Sequence, residues 1–304
     1  MKKYPSFIPL PGLAWLLFLL ASCQSGPSAN TTAGDSSNVD TVAVKMPSLE
    51  KKWETDTSIR TPESVLWDEQ QKIFYVSDIN GDGNARDGNG FISKLGADGT
   101  IRDLHWVDGL NAPKGMGMYN GELYVADLDQ LVIIDIQAKK IKKKIKLPGA
   151  VFLNDIAVDN DGNVYISDTR LGKVFLYHDS QISVYLDAPE AKGANGLLVW
   201  NGQLWMLGAG GIYRCNMQSR QTSLFSEAVK GGDGLTAVND SELIASRWNG
   251  EVYYVKADGS ASKLLDTQAD HKNTADLFYL ASEHLLVIPT FTGNCVMGYT
   301  LQTE

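Results

Sequence analysis

The chain has little histidine and cysteine, and its basic residues are outnumbered by its acidic ones. It carries four His and three Cys among 304 residues, and 27 Lys and Arg against 36 Asp and Glu, for a formal net charge of −9. This balance argues against nucleic acid as a partner, since binding phosphates requires a basic face. No Ser-His-Asp order, nucleophile elbow or phosphate-cradling glycine loop is evident. The sequence therefore offers no signature of a serine hydrolase or of a nucleotide-binding protein.

Long amphipathic helical patterns are also missing. Turn-forming pairs such as Asn120-Gly121 and Asp161-Gly162 interrupt the chain every few residues, and short apolar alternating segments lie between them. The chain is therefore expected to be all-β.

The first 45 residues differ in composition from the rest. A short basic start is followed by an apolar run at 10–20, which has about the length of a signal-peptide core and is too short for a comfortable membrane span. Leu-Ala-Ser-Cys at 20–23 resembles a bacterial lipobox. We therefore expect a lipoprotein signal peptide at 1–22, a lipid on Cys23 and a flexible tether at 23–45. The expected location is the bacterial cell envelope, at the outer membrane facing the periplasm, with membrane contact only through the lipid.

A sequence pattern that predicts two strands recurs along the remaining residues. Its clearest copy runs from Leu153 to Thr169: an amide and a carboxylate, an apolar strand, an Asp-Gly turn, and a second strand that ends in a carboxylate. The pattern recurs about every forty residues, and this period is typical of β-propellers. When the six copies are aligned, their first residues, which we call the openings, are Glu63, Lys114, Asn154, Asn195, Asp233 and Ala275. The sequence predicts one six-bladed β-propeller over residues 46–304, expected to be monomeric, with residues 49–59 supplying the outermost strand of blade six.

The repeat also places features away from the propeller axis. The basic alternating run at 139–146 is expected to be an outer strand of blade two, and contact with anionic lipid is the alternative. Cys215 and Cys295 fall on blades four and six, so we expect two separate buried thiols.

The residues that open the innermost strands should meet at the propeller axis. Glu63, Asn154, Asn195 and Asp233 would then combine two carboxylates and two amides without thiol or imidazole. An all-oxygen set suits a hard divalent cation, calcium best, with magnesium, manganese or zinc as alternatives. The competing interpretation is that each residue caps a strand or bonds to its neighbours in a polar channel.

Lys114 opens blade two and should point into the same pocket. It is expected to bind a substrate carboxylate or phosphate, or to add positive charge at a developing oxyanion. The alternative is an ion pair with Asp155 or Asp276. Further candidates for substrate contact on this face are Asp155, Arg170, Arg247, Trp248, Phe291 and His271.

Blade one is longer than the others because of residues 79–90. From Asp78, the pattern Asp-x-Asn-x-Asp-Gly matches the first half of a calcium loop, but Asn89 occupies the twelfth position, where a bidentate Glu is expected. A separate calcium site and a glycine-rich loop at the rim of the pocket are the two interpretations.

The four oxygen-bearing residues and their neighbours resemble the metal ligands of the gluconolactonase and regucalcin family. The matching segments are Pro62-Glu63-Ser64-Val65, Leu153-Asn154-Asp155, Asn195-Gly196-Leu197 and Asp233-Gly234-Leu235. Paraoxonases and diisopropyl fluorophosphatase are similar at the same four places. The resemblance implies a calcium-like ion at the axis of a six-bladed propeller and hydrolysis of lactones or related esters. It makes Asp233 both a ligand and the base or nucleophile.

The chain departs from this family at one place that bears on the substrate. In the sugar-lactonase branch an Arg that binds the substrate lies two residues before the third-blade Asn, and here that position is Phe152. We therefore expect a metal-dependent hydrolase of a small-molecule lactone or ester, without committing it to a sugar lactone. A non-catalytic propeller lipoprotein, which binds a ligand or a protein partner and uses the ion structurally, is the alternative.

Overall fold

The computed structural model describes residues Met46 to Thr303, whose strands form six antiparallel four-stranded sheets. The expected signal peptide, the lipidation site at Cys23 and the tether lie outside the described residues. Each sheet is one blade, and in blades one to five the strands follow one another in chain order from the innermost to the outermost.

Blades one to three occupy the first half of the propeller. Blade one contains β2 (Pro62–Asp68), β3 (Ile73–Asp78), β4 (Gly90–Gly96) and β5 (Ile101–Leu110). Blade two contains β6 (Pro113–Tyr119), β7 (Glu122–Asp127), β8 (Gln130–Asp135) and β9 (Lys140–Lys146). Blade three contains β10 (Leu153–Val158), β11 (Val164–Asp168), β12 (Lys173–His178) and β13 (Gln181–Leu186). The basic run is thus the outermost strand of blade two, as predicted.

Blades four to six complete the ring. Blade four contains β14 (Leu197–Trp200), β15 (Gln203–Gly208), β16 (Gly211–Asn216) and β17 (Thr222–Ser226). Blade five contains β18 (Leu235–Ala237), β19 (Leu243–Arg247), β20 (Glu251–Val255) and β21 (Ala261–Asp266). Blade six contains β22 (Phe278–Leu280), β23 (Leu285–Pro289), β24 (Val296–Gln302) and β1 (Ser48–Glu54). Short 3₁₀ helices lie at Pro189–Ala191, Gln268–Asp270, Ala281–Glu283 and Phe291–Gly293.

The ring closes through its two chain ends. β1 pairs antiparallel with β24, so the first described strand becomes the outermost strand of the last blade. The indole of Trp53 donates to the carbonyl of Ala97, 2.9 Å away, and packs so closely on Gly298 that a Cβ there would lie 2.2 Å from the ring. The strand ends earlier than predicted because Asp56 accepts the backbone N–H of Ser58 and turns the chain.

Six hydrophobic clusters hold neighbouring blades together. One joins blades six and one through Val65, Phe74 and Val287, and another joins blades three and four through Tyr165 and Leu204. The other four occupy the remaining junctions between blades. Because each strand buries its apolar face against the next blade, the core is a set of interfaces arranged around the axis. This arrangement confirms the six-bladed β-propeller predicted from the sequence.

Two smaller findings complete the description. Cys215 and Cys295 are buried free thiols, as the blade assignment predicted. Within residues 46–303, no helix is both long and apolar enough to cross a membrane.

Candidate functional site

The innermost strands of blades one to three each begin at an irregularity in strand pairing. The register shifts fall at 62–64 in β2, at 113–116 in β6 and at 153–156 in β10. A bulge breaks the alternation of side chains and re-aims the residue that it carries. The residues at these bulges are Glu63, Lys114 and Asn154, three of the six predicted openings.

Serine hydroxyls on the second strands support the backbone at these openings. Ser77 Oγ accepts the N–H of Ser64 over 3.0 Å, and Ser167 Oγ accepts the N–H of Asp155 over 2.8 Å. In blade five, Ser246 Oγ accepts the N–H of Gly234 over 2.8 Å. Each hydroxyl satisfies a backbone N–H near the start of an innermost strand. This role was not predicted from the sequence, although the serine stands at the same register position in three blades.

Carboxylates at the ends of the second strands serve a similar structural purpose. Asp78 Oδ1 accepts the N–H of Arg60, and Asp168 Oδ2 accepts the N–H groups of Val151 and Phe152. Asp127 does the same for the loop that precedes β6. These acids orient the segments that lead into the site.

Three of the four predicted metal ligands, Glu63, Asn195 and Asp233, lie together at the axis. Asn195 Nδ2 donates to Asp233 Oδ1 over 2.7 Å, and the charge of Asp233 acts directly on Glu63. The amide of Asn154 points its Nδ2 at Thr169 Oγ1, 3.0 Å away. Glu63, 5% exposed, has a buried Oε2 without a hydrogen-bond partner among the described residues. In this part of the chain, no hydrogen bond is donated to Oδ1 of Asn154, Oδ1 of Asn195 or Oδ2 of Asp233.

This set of oxygens fits a hard cation. Each of the four residues has an oxygen atom that accepts no hydrogen bond from the described residues, and that of Glu63 is buried. A buried oxygen without a donor is costly unless a cation or water satisfies it. Within residues 46–303, no group of three or more His, Cys, Asp and Glu side chains is arranged to hold a metal ion. The candidate set does not require such a group, since only two of its four members are carboxylates.

Four acidic groups are crowded near the axis. Burial, followed by the neighbouring Asp233 carboxylate, raises the pKa of Glu63 well above its usual range. Burial and the charge of Asp276 raise the pKa of Asp233 to about 7 and that of Asp155 well above its usual range. Burial raises the pKa of Asp276 itself to about 7. Without a cation, these carboxyls oppose one another's ionisation, so positive charge at the axis would be strongly favoured.

Asp155 and Asp276 each directly follow an opening in the sequence, Asn154 and Ala275 respectively. Asp155 Oδ2 accepts the N–H of Leu197 over 2.6 Å, and Asp276 Oδ2 accepts the hydroxyl of Ser64 over 2.6 Å. Both also line a cavity of about 300 Å³ among the innermost strands, together with apolar side chains such as Met116. They connect blades to one another beneath the predicted ligands. From the sequence, Asp276 was predicted only as a possible ion-pair partner of Lys114, although it stands in the register position of Asp155.

Lys114 is buried, with 2% of its surface exposed, and does not form the ion pair that was its alternative role. Its Nζ donates to the carbonyls of Ala112, 2.9 Å away, and Gly83, 3.1 Å away. Burial lowers the pKa of Lys114, and the nearby Glu63 carboxylate opposes that effect. The ammonium therefore lies within the electric field of the predicted ligand ring.

The long connection of blade one, residues 79–90, forms a rim loop. Besides the bond from Lys114 to Gly83, Arg86 Nη1 pairs with Asp129 Oδ1 of blade two over 2.9 Å, and Asn84 contacts Arg170 of blade three. Its half calcium motif is not assembled, because the two carboxylate oxygens of Asp78 accept hydrogen bonds from the backbone N–H of Arg60 and the hydroxyl of Ser93. Of the two interpretations, the geometry supports the rim loop.

The remaining substrate-contact candidates have different surroundings. Arg170 Cζ lies 4.4 Å from the ring centroid of Phe152, and Trp248, 48% exposed, meets Phe291 edge-on at 5.6 Å. Arg247 pairs with Glu251 of its own blade over 3.0 Å. His271 is exposed in a left-handed turn after Gln268–Asp270. The contacts of Arg247 and His271 do not link them to the ligand ring.

The fold and the axial site define the class: a six-bladed β-propeller with an acidic axial pocket. No family model matches the chain, and no curated protein matches it in sequence. Among solved structures, a streptogramin B lyase superposes with a TM-score of 0.62 at 13% identity, over 85% of this chain and 98% of that one. A catalytically inactive variant of virginiamycin B lyase from Staphylococcus aureus, with quinupristin, gives 0.59 at 15%, over 84% and 100%. A gluconolactonase from Xanthomonas campestris gives 0.60 at 17%, over 83% and 87%. These likenesses establish the fold.

Proposed function

We propose that this protein is a divalent-metal-dependent hydrolase that acts on a lactone or related ester at the propeller axis, with calcium as the preferred ion. The observation that carries the proposal is the buried Oε2 of Glu63, which has no partner among the described residues and lies beside Asp233, together with two amide oxygens that accept no hydrogen bond there. The likeness to a gluconolactonase supports it through the fold only.

Glu63, Asn154, Asn195 and Asp233 would hold the ion through oxygen. When bound, such an ion polarises a substrate carbonyl and stabilises the oxyanion that develops there. Two carboxylates offset its double charge and leave coordination positions for water and substrate.

Asp233 is the residue proposed to act on the substrate or on water. Its Oδ1 is held by Asn195, which leaves Oδ2 to accept a proton from water or to attack the carbonyl carbon. Lys114 adds a fixed positive charge next to the ring, beneath the rim loop.

The test is hydrolysis of a panel of lactones, aryl esters and phosphotriesters by the purified protein, first with calcium and then with chelator. Turnover that disappears on chelation and returns with calcium is expected. If no member of the panel turns over, and calcium raises only the melting temperature, the protein is instead a binding module with a structural ion.

A further inference from the structure

Two cationic side chains from different blades contact one aromatic ring at the pocket. Lys114 Nζ lies 4.6 Å from the ring centroid of Phe152, and Arg170 Cζ lies 4.4 Å from it. Both distances are within the range of cation–π attraction. Phe152 lies two residues before Asn154, so this group adjoins the candidate metal ligands.

Neither cation forms an ion pair with a residue of the described part of the chain. Lys114 uses two of its N–H groups on the carbonyls of Ala112 and Gly83, and Arg170 donates to the amide oxygen of Asn84. Arg86 differs from them, since it has a carboxylate partner in Asp129. The rim loop thus holds Lys114 and Arg170 in place without neutralising them.

The carboxylates whose fields reach Lys114 have other partners or roles. They are Glu63, Asp127 and Asp82. Asp127 accepts backbone N–H groups from the loop before β6, and Asp82 accepts both N–H donors of Asn84. Glu63 belongs to the proposed metal site. The positive charge at Phe152 therefore has no dedicated counter-ion.

The two cations differ in their surroundings, since Lys114 is buried and Arg170 is exposed at the rim of the pocket. Burial lowers the pKa of Lys114, the Glu63 carboxylate opposes that effect, and the positive charge of Arg170 acts in the same direction as burial. A buried ammonium near a second cation is stabilised when an anion lies between them. An arginine fork and a lysine point charge together suit a carboxylate or a phosphate.

We propose that Lys114 and Arg170, supported by Phe152 and the rim loop, form a subsite for an oxyanion of the substrate, a carboxylate or a phosphate. The proposal rests on the proposed function, because the anion would be bound next to the reacting carbonyl. It identifies the substrate class as an acidic lactone or ester and gives Arg170 the role of a specificity-determining residue.

The kinetic test compares a neutral and an acidic member of the class that turns over in the panel. For lactones, the pair is γ-butyrolactone and γ-carboxy-γ-butyrolactone, assayed with the wild-type protein, Arg170→Gln and Arg214→Gln. Arg214 is the matched control, because it also stacks on aromatic rings, those of Trp205 and Phe225 in blade four. Arg170→Gln should raise KM for the acidic lactone about 10- to 100-fold more than it raises KM for the neutral lactone. Arg214→Gln should change neither.

A binding measurement without calcium separates this inference from the hydrolase proposal. Calorimetry with 2-hydroxyglutarate, the hydrolysis product of the acidic lactone, and separately with inorganic phosphate, should show binding that Arg170→Gln weakens at least about tenfold. Tighter binding of phosphate would assign a phosphate-bearing substrate, and tighter binding of the carboxylate an acidic lactone. If no substrate turns over but Arg170-dependent binding persists, the hydrolase fails and the anion subsite stands.

The inference is overturned if neither anion binds, or if Arg170→Gln and Arg214→Gln behave alike in both assays. Lys114→Met serves as a second variant, and circular dichroism checks that it folds. It should also weaken anion binding. Undiminished binding by a folded Lys114→Met protein would count against the two-cation site.

Discussion

Asn195 donates a hydrogen bond from its side-chain Nδ2 to Oδ1 of Asp233 over 2.7 Å, although the two residues lie 38 positions apart. They stand two residues before the innermost strands of blades four and five. The bond orients the carboxylate and leaves its second oxygen for chemistry. It also shows that the repeat register predicted a side-chain contact between distant residues.

Asp233→Asn should abolish turnover and preserve the fold. Asparagine keeps an oxygen that can accept the bond from Asn195 but cannot accept a proton from water, so turnover should fall about 100-fold or more. The melting temperature should change by only a few degrees. Asp240→Asn, in an exposed turn of the same blade, removes the same charge as a control. Turnover by Asp233→Asn close to that of the wild type would remove Asp233 from the mechanism.

Glu63→Gln should change the response of the protein to calcium. The carboxylate is buried with an unpartnered oxygen, so without calcium the variant should be at least as stable as the wild type. With calcium at about 100 times its Kd, the wild type should gain about 2.7 kcal/mol. For a domain of this size the gain corresponds to a rise of about 5–10 °C in Tm.

Thermal unfolding of the wild type and Glu63→Gln, each with calcium and with chelator, measures the calcium-induced rise in Tm of the two proteins. An equal calcium-induced rise in the two proteins would show that Glu63 is not a ligand. Glu283→Gln, at an exposed position, is the control for the loss of one carboxylate.

Arg86→Gln should loosen the rim loop. Arg86 pairs with Asp129 of blade two and is one of the contacts that attach residues 79–90 to the rest of the pocket face. The pair is partly exposed, so global stability should change by less than about 1 kcal/mol. Cleavage of the loop by subtilisin should accelerate several-fold, and KM should rise. Arg102→Gln removes a pair with Asp98 in a surface turn, and its cleavage rate should match that of the wild type.

Asp78→Asn should reduce the dependence of stability on pH. Burial raises the pKa of Asp78 to about 8, whereas an unfolded Asp titrates at about 4. Between these values the folded protein binds more protons than the unfolded chain, so stability falls as pH rises. Asparagine resembles the protonated acid and removes this contribution. Relative to the variant, the wild type should lose up to about 1 kcal/mol per pH unit from pH 5 to 8.

Urea unfolding of both calcium-free proteins at several pH values tests this expectation. Parallel stability curves would indicate that the Asp78 carboxyl is ionised throughout in the folded protein.

The sequence was sufficient for the fold and for the composition of the ring. Asp161-Gly162 and similar pairs determine where the chain turns, because few other residues adopt the required backbone angles. Apolar alternation then decides which face of each strand is buried. Counting from one turn to the next brings Glu63, Asn195 and Asp233 into register, and the structure brings all three to the axis.

The supporting atoms could not be predicted in the same way. Nothing in the local pattern indicates that Ser77 and Ser167 satisfy the N–H groups at the bulges, or that Oε2 of Glu63 has no donor. These facts depend on which groups meet across strands and blades. The role of the half calcium motif could not be decided from the sequence for the same reason, since the hydrogen-bond partners of Asp78 are Arg60 and Ser93.

Phe152 illustrates which properties of the pocket the sequence can predict and which it cannot. The sequence by itself determined that no arginine occupies this position, which left the nature of the substrate open. Only the tertiary structure decided that Lys114 and Arg170 both reach the ring and that the rim loop supports them. Turn residues and strand alternation act over a few neighbouring positions, whereas the charge of a pocket depends on side chains that packing brings together from separate blades.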